Sequence, residues 1–304
     1  MKRGPPAQFY KGGMCLNTQE LTTKRNYKSS MFTMIFSDKK ELLELYNAIA
    51  NRNYDDPELL TINTLENAIY MTIHNDVSFL IDSRLSLYEH QSTYNPNMPL
   101  RFLMYLADLY SGITKGKNIY SETLIPIPSP NFIVFYNGKE DRPDREILYL
   151  SDAYITGSED ISLELKADVI NINIGHNEDL LNACRTLKDY SEYVRRVREY
   201  ADSMPIEVAV DKAIDECIRE DILREFLSQN KAEARKMSIY EYDYEEHMRM
   251  EREEHFSKGL KQGIEQGIAQ EKVNTENEKK RADDAEAKLA KVLEELEYLK
   301  KTKK

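Results

Sequence analysis

NDVSFLIDSRLSLYEHQST, residues 75–93, decides how the chain is read. "VSFLI" (77–81) and "LSLYEH" (85–90) have the β-branched, aromatic and alternating character of strands, and Asp82-Ser83 between them is turn chemistry. The stretch therefore reads as a β-hairpin. Acidic residues are depleted in strands, yet Asp76 and Glu89 sit on its two arms. With a two-residue turn, Ile81 faces Arg84 and, counting outward, Asp76 faces Glu89. Directly opposed residues share a face with Cβ atoms about 5 Å apart. Gln91 falls on that face and His90 points away. A turn longer by one residue breaks the pairing. At this point two readings stand open: both acids face water, or they share a cation.

For the second reading, two carboxylates and an amide oxygen, with no His or Cys at ligand spacing, suit Mg²⁺ or Mn²⁺ rather than zinc. Such an ion can activate water and neutralise charge on a phosphodiester. Arg101 follows in the first turn of a helix, "PLRFLMY", where a guanidinium could grip phosphate bidentately or pair with a carboxylate. Tyr105 shares its helix face and reads as core. His74 and His90 read as surface or satisfied histidines rather than general bases. "VRRVR" (194–198), with Asp189, Glu192 and Glu199 nearby, reads as a solvated helix face.

Working outward, "SDKKELLELYNAIANRN" offers Asp38 as N-cap, Glu41 at capping-box spacing, and Leu42, Leu45, Tyr46 and Ile49 at helical intervals. "NAIYMTI" (67–73) reads as a strand ahead of the hairpin. "NPNMPLRFLMYLADLYSGI" reads as a helix capped by Asn97, started at Pro99 and stopped by Gly112, with Leu100, Leu103, Met104, Ala107 and Tyr110 as one face. "PNFIVFYNG" (130–138) reads as a buried central strand. "ADVININIG" (167–175) is a further strand, with Ile170, Ile172 and Ile174 alternating against Asn171 and Asn173. From about residue 177 the pattern is helical. In the tail, Ala282, Ala285, Leu289, Val292, Leu296 and Leu299 trace a heptad seam. Upstream, Gly259, Gly263 and Gly267 stand four apart beside Leu260, Ile264 and Ile268. Glycine costs a helix about 1 kcal/mol relative to alanine, so close helix approach is one reading; a frayed, solvated helix is the other.

The net charge of −11 opposes phosphate binding in bulk. Its placement is uneven: residues 131–250 carry 27 acids against 16 bases, whereas 1–130 and 251–304 each balance at 13 and 13. Bulk charge thus neither supports nor excludes DNA. Cys15, Cys184 and Cys217 form no C-x-x-C pair, which argues against a disulfide framework and a thiolate zinc site. No apolar run reaches the ~18 residues of a membrane span, and the start "MKRGPPAQFYKGG" has no apolar segment of signal-peptide type. A cytoplasmic protein is expected.

"NDVSFLIDSRLSLYEHQSTYNPNMPLRFLMYLADLY", "LELKADVININIGHNEDLLNACRTLKDYSEYV", "CIREDILREFL" and the glycine-interrupted tail together resemble the PD-(D/E)XK nuclease-fold family of recombination-promoting nucleases and transposases. The resemblance covers most of the chain from about residue 25. It implies an α/β (α+β) fold with a restriction-endonuclease-like αβββαβ core, and metal-dependent DNA endonuclease activity associated with recombination or transposition. Carried over by position, Asp76 matches the acid opening the second core strand, and Glu89-His90-Gln91 matches the E-x-K-like element. By resemblance Asp76 and Glu89 are the metal ligands and Gln91 completes the catalytic set; Arg101, read from its place just after the motif, is the candidate for the substrate phosphate. Two departures stand out. Gln91 replaces the more usual lysine, and "YKSSMF" offers Ser29 and Ser30 where relatives tend to have an acid just before a Phe.

The expected organisation is an irregular arm over 1–25, a nuclease-like core over 26–175, a helical extension over 176–240 and a long helix or coiled coil over 241–304. DNA is the expected partner, with no membrane and a homo-oligomer through the C-terminal helix. The alternative is a catalytically weak or inactive nuclease-fold module that binds DNA or acts as a scaffold and assembles through its tail. A third reading is an oligomeric structural protein with no nucleic-acid role.

Overall fold

The computed structural model describes residues 30–62, 76–155 and 161–302. The N-terminal arm, the strand expected over 67–73, Cys15, Ser29 and His74 lie outside the described residues.

The hairpin forms as its spacing requires. Strands β2 (Val77–Ile81) and β3 (Arg84–Gln91) pair antiparallel from Val77↔Tyr88 to Ile81↔Arg84. Asp82 and Ser83 both adopt positive φ, 48° and 60°. That is the primed two-residue turn whose twist matches the flanking strands. The ladder register is therefore the one that sets Asp76, one residue ahead of β2, opposite Glu89.

Around the hairpin the described strands make one open six-stranded mixed sheet. Besides β2 and β3 it contains β1 (Thr61–Ile62), β4 (Ser129–Tyr136), β5 (Arg145–Tyr149) and β6 (Lys166–Asn171), in the order β1-β2-β3-β4-β6-β5. The central trio β3, β4 and β6 is parallel, and the flanking pairings are antiparallel. The fold is thus mixed α/β. "FIVFY" is the buried centre, as its unbroken apolar run requires. β5, "REILY", was not foreseen, because a short edge strand that opens on Arg145-Glu146 hides its alternation. β6 ends at Asn171; Ile172 remains buried beyond it while Ile174 is exposed.

Helices cover both faces of the sheet. On one side lies α3 (Met98–Ile113). On the other lie α1 (Met31–Phe36), α2 (Lys39–Ala50), α4 (Glu178–Ala183), α5 (Arg185–Ala201), α6 (Ile206–Arg219), α7 (Arg224–Gln229) and the first turns of α8 (Lys231–Thr302). Asp38 caps α2 by accepting from the amides of Lys40 and Glu41, at 2.8 and 3.3 Å. Glu41 does not close a capping box; it takes the Thr186 hydroxyl of α5 instead. Helices α4 to α7 and the first turns of α8 share a core with Phe32, Tyr88 and Phe135 within the compact unit Met1–Asp243.

Three expectations for α3 need correction, the first being its cap: Asn97 sits at the N-cap position, but its side chain makes no capping hydrogen bond. The buried face of the helix is Met98, Phe102, Tyr105 and Leu109, not Leu100, Met104 and Ala107; Leu100 and Met104 are 39% and 38% exposed. The helix is apolar on most sides, so periodicity offers two stripes, and the one with the larger aromatic surface packs inward. Gly112 does not stop it either. The chain leaves the helix through Gly116, whose φ of +81° is open to glycine without strain.

The second unit, Tyr244–Lys304, is α-helical through Thr302. Leu260, Ile264, Ile268, Leu289 and Val292 are all exposed there. A Cβ added at Gly259, Gly263 or Gly267 would meet nothing within 4 Å. No helix among the described residues is long and apolar enough to cross a membrane.

Candidate functional site

β3 carries adjacent polar residues to opposite faces of the sheet. Glu89 and Gln91 point to the α3 side with Leu85 and Leu87, while His90 points with Tyr88 to the other side. Glu89 is 4% exposed, a depth at which a carboxylate requires partners.

Asp76 and Glu89 are reciprocally tied across the hairpin. The Asp76 amide donates to Glu89 Oε2 at 3.4 Å, and the His90 amide donates to Asp76 Oδ2 at 2.7 Å. Asp76 also takes the Thr33 hydroxyl from α1, and Thr33 Oγ1 lies 2.9 Å from Ser30 Oγ. Where the resemblance leads one to expect an acid on the first helix, the described chain therefore presents two hydroxyls. Ser30 itself caps α1 by accepting from the Thr33 amide at 3.1 Å.

One guanidinium answers the two acids. Arg101 Nη2 reaches Glu89 Oε1. It is anchored on α3 by the Tyr105 hydroxyl, which accepts from Nε at 3.1 Å and from Nη2 at 2.8 Å, and by Met98 Sδ, 3.3 Å from Nη1. Gln91 is fixed by its amide nitrogen, which donates to the same Met98 Sδ at 2.7 Å. Gly138 holds the next loop against this end of β3, since an added methyl there would run into the Ser92 carbonyl and the Tyr136 ring.

The electrostatics follow from this count. Burial pushes Asp76 up to about 6 against the backbone and Thr33 hydrogen bonds that favour its charged form. Burial also pushes Glu89 up, with the neighbouring Asp76 adding to it, to about 8 in spite of Arg101. One buried and one half-buried acid beside one cation leave a surplus of negative charge for a proton or a further cation to satisfy.

On the opposite face His90 is hydrogen-bonded, although Ser86 Oγ and Tyr88 Oη on that same side of β3 are buried without a hydrogen-bond partner among the described residues. His90 Nε2 lies 3.0 Å from both Asn137 Oδ1 and Tyr190 Oη, and its ring stacks on Phe32 at 5.2 Å. Burial lowers it to about 4, so it is held neutral. It is a satisfied histidine, as its sequence context suggested. Tyr105 is core as expected, with its hydroxyl turned to Arg101. In "VRRVR", Arg195 pairs with Glu192 and Glu199, and Arg196 with Glu192 and Glu220. Arg198 donates to the Asn137 carbonyl.

The structure thus brings Asp76, Glu89, Gln91 and Arg101 to one end of the hairpin. Among the described residues no group of three or more His, Cys, Asp or Glu side chains is arranged to hold a metal. Thr33, Met98 and Tyr105 join the site without having been read as part of it. The S-x-x-T spacing of Ser30 and Thr33 signals a helix start, but nothing local points it at Asp76. Cys184 and Cys217 are free and buried. Comparison with family models, curated proteins and solved structures returned no match.

Proposed function

We propose that the chain is a metal-dependent DNA endonuclease of the PD-(D/E)XK type, in which Asp76 and Glu89 hold Mg²⁺ or Mn²⁺. The observation that carries this reading is a pair of acids on opposed strand positions, Glu89 buried and Asp76 half-buried, with a single guanidinium between two carboxyls. The donor set fits: Mg²⁺ commonly uses one or two carboxylates and fills its octahedron with waters and substrate phosphate oxygens. Once bound, the ion supplies Lewis acidity for activating water and for countering charge at a phosphodiester.

The chain's own residues have distinct tasks in this scheme. Asp76 and Glu89 keep their oxygens in place through the reciprocal bonds across the hairpin. Gln91, with its nitrogen on Met98, can orient a water but adds no positive charge at the reacting phosphate, so turnover is slower than with a lysine there. Arg101 stands beside the acids as the donor fork for a phosphate oxygen. Plasmid nicking in Mg²⁺ by the full chain and by Asp76→Ala tests the proposal; equal cleavage by both removes the assigned site.

A second reading has its own support. Gln91, the hydroxyls in place of a first-helix acid, and Arg101 already seated on Glu89 all suit a nuclease-fold module with little or no turnover, binding DNA or serving as a scaffold. Such a protein retains DNA at low salt without cutting it. For either reading we place self-association in the tail, because its exposed apolar residues and unfilled glycines have no other use among the described residues. Light scattering of the full chain carrying Leu289→Ser and Val292→Ser should show a smaller particle than the parent.

A further inference from the structure

We infer that Arg101 is a resident counter-ion: it occupies the Glu89 carboxylate when no divalent cation is present and must yield it for one to bind. This rests on the reading of Asp76 and Glu89 as cation ligands, and adds what controls access to them.

The geometry engages both oxygens of Glu89. Oε1 receives Arg101 Nη2, and Oε2 receives the Asp76 amide. Each oxygen keeps a second lone pair, but an ion at Oε1 would sit against the positive guanidinium, and that repulsion displaces Arg101. The guanidinium does not depend on Glu89 for its place, because Tyr105 and Met98 hold it from its own helix, four residues after and three before. With its side chain 29% exposed, it also has a path toward solvent. Released from Glu89 it stays at the rim, a planar fork that matches a phosphate oxygen pair.

Charge counting gives the exchange a direction. With both carboxyls deprotonated, as ion binding requires, two carboxylates and one guanidinium sum to −1. A divalent ion turns this to +1, and a phosphodiester returns it to zero. Cation alone is thus opposed by Arg101, whereas cation with a phosphodiester is matched. Arg101 acts as a positioning residue that couples ion entry to substrate.

Calorimetric titration with Mn²⁺ of the full-length protein, Glu89→Gln, Arg101→Gln and Tyr105→Phe tests this. Arg101→Gln should bind Mn²⁺ about tenfold more tightly, the scale of one charge-assisted hydrogen bond that no longer has to be broken. Tyr105→Phe, which keeps the core aromatic and loosens only the anchor, should shift affinity the same way by less, and it carries the test if Arg101→Gln does not fold. A purely structural arginine would give weaker binding instead. Unchanged or weaker Mn²⁺ binding in these variants, with Glu89→Gln still abolishing it, overturns the counter-ion and leaves the metal site standing. Binding in Glu89→Gln equal to the parent, or no uptake by any of the four, overturns both.

Discussion

Glu89 and His90 are neighbours on one strand, the first buried and the second half-buried on opposite faces of one sheet, and they are treated differently. His90 meets an amide oxygen, a phenol and an aromatic ring, and rests neutral. Glu89 meets a second acid and shares a single arginine with it. The hydrogen-bonded, neutral His90 reads as structure, and the surplus of acid over base beside Glu89 marks the place where a ligand is proposed.

The largest expected difference between the faces is in chemistry. Asp76→Asn should reduce phosphodiester cleavage by at least about 100-fold, the range for losing a group that stabilises transition-state charge. Cleavage of supercoiled plasmid over time measures it, and retention of parental rates would erase the distinction.

Stability comes next. His90→Ala removes the hydrogen bonds that Asn137 Oδ1 and Tyr190 Oη make to the imidazole and opens space against Phe32, and should cost about 2–3 kcal/mol in chemical denaturation. Asp76→Asn keeps an acceptor for the His90 amide and removes a half-buried charge, so at pH 8 it should be neutral or stabilising by about 1 kcal/mol. Equal destabilisation by the two substitutions would mean that the faces do not differ.

The smallest effect is in pH. Glu89, raised from 4.5 to about 8, keeps a proton in the folded state that the unfolded chain has lost, so stability falls as pH rises across that window. His90, lowered from 6.5 to about 4, acts with the opposite sign and only below 6.5. Between pH 6.5 and 8 the acidic face acts without opposition from His90, and the unfolding free energy should drop by about 1 kcal/mol. Millimolar Mg²⁺ should flatten that slope, and a slope that rises with pH would contradict the assignment.

The same contrast explains what could be read in advance. The pairing of Asp76 with Glu89 was legible because alternation and a two-residue turn fix register locally, and a slip by one residue would have exposed Phe79 and Tyr88. Which face of α3 packs inward was not legible, since Leu100 and Phe102 satisfy the same periodicity. The network around His90 was invisible for another reason: Asn137 and Tyr190 lie 47 and 100 residues away in sequence. Thr33 reaches Asp76 only through the docking of α1, and Arg101 meets Glu89 only because α3 buries the stripe that carries Tyr105. Local chemistry located the acids, and long-range packing chose their company.

The central claim is that the space beside Asp76 and Glu89 takes a hard divalent cation. Anomalous diffraction from a crystal soaked in Mn²⁺ tests it most directly. The expected result is a peak within bonding distance of both carboxylates, with the Arg101 guanidinium turned away from Glu89. No peak at millimolar Mn²⁺, with Arg101 still seated on Glu89, would contradict it.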